Sequence, residues 1–108
     1  MTSPEYHEPI LACDMQAISP EQRSAHRANT ERLFALSQQV RELPTGYAVC
    51  LPGSALEAVA SFIRYERLCC PFLRFTLEIE PEQGPILLSL TSSVDVKPFL
   101  RAEGLFGL

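Results

Sequence analysis

The 108-residue chain has no run of basic residues, no long apolar stretch and no consensus loop for phosphate, dinucleotide or calcium. Each absence removes a class of function. With a formal charge of −4 and a pI of about 5.1 there is no positive field to hold a phosphate backbone or anionic lipid, so nucleic acid is not an expected partner. The arginines (23, 27, 32, 41, 64, 67, 74 and 101) are scattered among acids, which is the pattern of a solvated surface. No stretch approaches the roughly 18 apolar residues of a membrane span. Residues 1–9 show neither the basic nor the apolar region of a secretory signal, so the expected location is the cytoplasm. H-E-x-x-H, C-x-x-C and paired catalytic carboxylates are missing too.

What is present is an average globular composition, 46% apolar and 20% charged, enough for one modest core that hides roughly two-thirds of the unfolded surface. The leader 1–9 has two prolines and no apolar period and is expected to be disordered. Residues 10–108 are expected to form a single α+β domain.

Residues 10–16 read as a short edge strand with Leu11, Cys13 and Met15 on one face. Ser19, Pro20 and Gln22 are a capping box with proline at the first helical position, and the helix is expected to reach Arg41 or Glu42 before Pro44. His26, Leu33, Leu36, Val40 and Leu43 form its stripe. Residues 46–52 alternate as a strand. Ser54 and Glu57 suggest a second helix start, with Leu56, Val59, Ala60 and Ile63 facing inward and Pro71 ending the helix.

The clearest strand is 72–80, with Leu73, Phe75, Leu77 and Ile79 on one face. A turn at 81–84 returns it as 86–91, and a short helix near 94–103 closes the chain. The expected fold is a three- to four-stranded sheet packed by helices, in which strand-helix-strand-strand-helix is most of a ferredoxin-like plait. Its exposed edges point to a homodimer.

The most pointed chemistry lies in Glu66-Arg67-Leu68-Cys69-Cys70-Pro71-Phe72. Glu66 and Arg67 fall on the shoulders of the inward stripe, where a charge must reach the domain edge or meet a partner. Pro71 pushes Cys70 out of helical geometry, so the neighbouring thiols should diverge, and a bond between them would close a strained eight-membered ring. Cys13 and His26 complete a candidate set with Cys69, Cys70 and Glu66, while Cys50 reads as structural. The plain alternative is packing, because free cysteine is commonly buried as a small hydrophobe.

His26 after Arg23, the string Glu42-Leu43-Pro44-Thr45-Gly46-Tyr47, the double-cysteine motif and Lys97-Pro98-Phe99-Leu100 together resemble a group of small bacterial proteins of no established function that share E-R-x-C-C-P-F. The resemblance runs from Cys13 onward. It implies a recurring whole-domain unit and nothing about substrate or partner.

Three functions compete. In the first, Cys69, Cys70, Cys13, His26 and Glu66 bind or sense zinc or another thiophilic metal, and a structural zinc would add on the order of 10 kcal/mol to folding. The second is a thiol redox protein or enzyme, with Cys69 or Cys70 as nucleophile, Glu66 or His26 as base and Cys13 as resolving thiol. The last is a non-catalytic interaction module whose cysteines only pack.

Overall fold

The computed structural model describes residues 12–105. The expected leader, and Ile10 and Leu11 of the expected first strand, lie outside the described residues. Helix α1 (Pro20–Ala35) leads into strands β1 (Gln39–Glu42) and β2 (Tyr47–Leu51). Helix α2 (Leu56–Cys69), strands β3 (Arg74–Ile79) and β4 (Ile86–Thr91) and helix α3 (Lys97–Ala102) follow. The four strands form one antiparallel sheet in the order β1-β2-β4-β3. The chain is thus a small α+β fold, and α2 is the crossover that carries it from β2 past the later β4 to the far edge.

The core lies between α2 and the central strands. Ile86, Leu88 and Leu90 of β4, Val49 and Leu51 of β2, and Val59 and Phe62 of α2 are fully buried. Phe62 is its hub, meeting Phe34 edge-on at 5.2 Å and Phe75 at 6.2 Å between ring centroids. Aromatic pairs of this geometry contribute beyond their buried area.

Several expected boundaries shift. Residues 12–14 are irregular and Met15–Ala17 form a 3₁₀ turn rather than a strand, with Asp14 Oδ1 accepting from Gln16 N at 3.0 Å. The capping box of α1 is present, Ser19 Oγ and Gln22 Oε1 each accepting the other's backbone N–H. However, α1 stops at Ala35, not Arg41 or Glu42, and Gln39–Glu42 instead pairs with β2 from Gln39↔Cys50 to Glu42↔Tyr47. A helix there would leave one edge of β2 without partners, and the hairpin satisfies those backbone groups. Gly46 suits the turn because a side chain there would run into the backbone of Leu90.

Helix α2 is likewise entered through a 3₁₀ turn, Gly53–Ala55, without a side-chain cap from Ser54. Its buried face is therefore Val59, Phe62, Glu66 and Cys69, whereas Leu56 and Ala60 are exposed. The expected stripe was rotated by about one residue. The hairpin of β3 and β4 matches its expected position, but Leu77 and Ile79 of its apolar face remain exposed.

Candidate thiol site

Three segments meet at the C-terminal end of α2. Glu66 lies one turn beyond Phe62 on the inward face, and Cys70 caps the helix with its N–H donating to the Glu66 carbonyl at 2.7 Å. The φ of −124° and ψ of 73° at Cys70 fit the displacement from helical geometry expected of a residue before proline. From the N-terminal side, Asp14 N donates to Cys69 O at 2.7 Å and so brings Cys13 alongside.

Cys13 and Cys70 are joined by a disulfide, with their Cα atoms 4.6 Å apart and a sequence separation of 57. The neighbouring thiols do diverge: Cys70 turns to Cys13 while Cys69 remains free and buried. Burial first, then the Glu66 and Asp14 carboxylates, pushes the Cys69 thiol up. Such a group is held as the neutral thiol, which makes it a poor nucleophile.

Glu66 connects the sulfur to the histidine. Its Oε1 lies 3.3 Å from Cys70 Sγ, and its Oε2 is 2.7 Å from His26 Nε2. A carboxylate only accepts hydrogen bonds, so His26 Nε2 donates to Glu66, while the buried Nδ1 has no hydrogen-bond partner among the described residues. Phe62 and Tyr65 hold the imidazole, at ring distances of 5.8 and 5.9 Å, and Thr30 Oγ1 bonds the His26 carbonyl at 2.7 Å. Glu66 thus meets a partner inside the domain, while Arg67 reaches solvent.

The donor atoms of Cys13, Glu66 and Cys70 all lie within 4.8 Å of one another. Of the five expected site residues, these three converge and His26 stands behind them, on the far oxygen of Glu66. Cys69 lines an open cleft together with Cys13, His26, Glu66 and Cys70 without joining the donor set. Cys50 is elsewhere, half-buried on β2 with its Sγ 3.8 Å from Gln38 Oε1. Asp14 and Tyr65 were not anticipated as parts of the site. Only the adjacency of Asp14 to Cys13 pointed to the first, and Tyr65 depends on how α1 packs on α2.

Fold and site together define a small α+β protein with a cysteine pair, a buried carboxylate and a histidine at one helix end. Known protein-family models, curated proteins and solved structures contain no match to this chain. Among the described residues no helix is long and apolar enough to cross a membrane.

Proposed function

We propose that the protein works by reversible thiol–disulfide exchange at Cys13 and Cys70, with Glu66 as the proton acceptor for Cys70. The observation that carries this reading is the Glu66 carboxylate, 3.3 Å from Cys70 Sγ and backed by His26. A disulfide that serves only to tie the fold needs no acceptor beside its sulfur, but a thiol that must give up a proton does. The expected cytoplasmic location fits, since disulfides there are mostly transient.

Accessibility assigns the roles. Cys13 is half-buried whereas Cys70 is fully buried, so an external disulfide meets Cys13 first. In the reduced protein the Cys13 thiolate attacks a substrate disulfide, forming a Cys13 mixed disulfide and releasing one substrate thiolate. Cys70 then passes its proton to Glu66 and attacks Cys13 Sγ, which restores the Cys13–Cys70 bond and expels the second substrate thiolate. Two electrons pass to the substrate, and a cellular dithiol returns them to the protein by the reverse sequence. This order reverses the roles suggested by sequence, where Cys13 was the resolving thiol.

A second reading, thiophilic metal binding, is supported by the convergence of Cys13, Cys70 and Glu66. Reduction would free two thiolates, which with one carboxylate oxygen are suitable donors for zinc, and His26 would orient the carboxylate from behind.

Redox titration followed by thiol trapping and mass spectrometry tests the first reading. The expected result is a reversible two-electron couple confined to Cys13 and Cys70. Cys70→Ser should trap a mixed disulfide on Cys13, and Glu66→Gln should slow resolution by roughly 100-fold while leaving Cys13 alkylation fast. A bond that resists dithiols in the folded protein would refute redox function. Zinc added to the reduced protein supplies the other arm: an unchanged melting temperature counts against the metal reading.

A further inference from the structure

The two edges of the sheet are not alike. Strand β1 is four residues long and carries Arg41 and Glu42, the latter paired to Lys97 at 3.1 Å. A short charged edge of this kind resists pairing with another chain. Strand β3 is six residues long, has no strand partner on its outer side among the described residues, and leaves Leu77 39% and Ile79 53% exposed. Leu77 also lines a groove with Ala60, Ile63 and Leu68 of α2, and Leu68 is 53% exposed. Apolar surface next to an unpaired edge is what natural folds usually avoid.

We infer that β3 pairs with β3 of a second copy of this chain, in antiparallel register about Thr76, to form a two-fold dimer with a continuous sheet. The hydrogen-bonding phase of β3 limits the choice of register. Glu80 N donates to Pro85 O at 3.1 Å, which continues the ladder in which Ile79 faces Ile86. Hydrogen-bonded and non-hydrogen-bonded pairs alternate along an antiparallel ladder, so Glu80, Glu78, Thr76 and Arg74 bond inward to β4. The N–H and C=O groups of Phe75, Leu77 and Ile79 therefore point out from the open edge.

An isologous pairing must match outward-bonding residues with each other. Centred on Thr76, Phe75 bonds with Leu77 of the partner subunit, and the two-fold repeats the pair. On the solvent face the same register sets Arg74 opposite Glu78 of the partner subunit, twice. All three solvent-face residues, Arg74, Thr76 and Glu78, are exposed, and no ion pair within the described residues occupies Arg74 or Glu78. Neighbouring registers are poorer: centring on Phe75 pairs no opposite charges, and centring on Glu78 sets two carboxylates face to face. Centring on Leu77 pairs Arg74 with Glu80 but puts Glu78 opposite Thr76. On the other face, the chosen register brings the Leu68 and Leu77 surfaces of both copies together over the two-fold, covering the exposed apolar strip.

Sedimentation equilibrium on the full chain tests this, with circular dichroism confirming that each variant is folded. The wild-type protein is expected to dimerise. Arg74→Glu and Glu78→Arg should each weaken the dimer by about tenfold, because each turns two attractive cross-strand pairs into repulsive ones. The double variant R74E/E78R should recover wild-type association, since it re-forms both pairs in reverse, and Leu77→Lys should give monomer. A wild-type chain that stays monomeric up to its solubility limit overturns the proposal. So does a dimer that ignores the single reversals, or one that the double reversal fails to restore.

Discussion

The N-terminal limb, residues 12–35, and the sheet with α2 are held by different kinds of force. The sheet side is fastened by diffuse apolar burial, with Val49, Leu51, Phe62, Ile86, Leu88 and Leu90 all fully inaccessible. Helix α1 buries only His26 and Leu33. Beyond the packing of Ile18, Met15 and Phe34 on the core, the limb is attached by discrete bonds: the Cys13–Cys70 bond, the His26–Glu66 contact, Asp14 N to Cys69 O, and Asn29 Nδ2 to Ala58 O at 3.0 Å. Burial of apolar area responds little to reductant or proton concentration, whereas bonds to sulfur and carboxylate respond to both. The limb is therefore the part of the molecule that chemistry can release while the core persists.

Reduction should break this contrast most strongly. Opening a loop with a sequence separation of 57 removes about 4 kcal/mol of chain-entropy stabilisation. Chemical unfolding with and without a dithiol should report a loss of that size. Amide hydrogen exchange in α1 should accelerate before that in β2 and β4, because opening the limb no longer requires a covalent bond to break. Equal acceleration in α1 and β4 would mean that the two regions are one cooperative unit.

How far this division was legible in the sequence depended on whether a local pattern sufficed. Strand β3 alternates strictly, β4 is an apolar run bounded by turn residues, and Pro81 to Gly84 favour a turn, so that hairpin could be read directly. Strand β1 could not. Val40 sits at helical spacing from Leu33 and Leu36, and only the unpaired edge of β2, a tertiary need, converts residues 39–42 to a strand. The site divides the same way. A charge on the shoulder of the α2 stripe had to reach the domain edge or meet a partner, which drew attention to Glu66, and His26 was a candidate because it shares the inward stripe of Leu33, but nothing local paired the two. The choice of Cys70 over Cys69 as the mate of Cys13 turns on the direction of one residue after the helix end, and the 57-residue separation gives no local cue to it.

His26→Ala should separate the regions by a smaller margin, about 3 kcal/mol, because it leaves the buried Glu66 carboxylate without its partner and opens space beside Phe62. Denaturant titration of the disulfide form measures the loss. If the limb is held mainly through this contact, the variant's α1 amides exchange faster even with the disulfide intact. If they do not, the covalent bond alone secures the limb.

The smallest expected effect concerns Cys69, which belongs to both regions: its carbonyl tethers Asp14 and its side chain packs in the core. Burial, Glu66 and Asp14 hold its thiol above the ordinary value of 9.0. A group whose folded value is raised contributes stability in full below its unfolded value, and that contribution is lost as pH rises through the folded one. The melting-temperature difference between wild type and Cys69→Ala, both oxidised, should therefore be constant through neutral pH and shift against the wild type at alkaline pH. The direction also has a chemical use. Attack on the adjacent disulfide requires a thiolate, so a Cys69 held protonated cannot readily displace Cys13 from Cys70 and form the strained bond between neighbours. A pH-independent difference would mean that Cys69 does not keep its proton through burial, and the pairing of Cys13 with Cys70 would then need another safeguard.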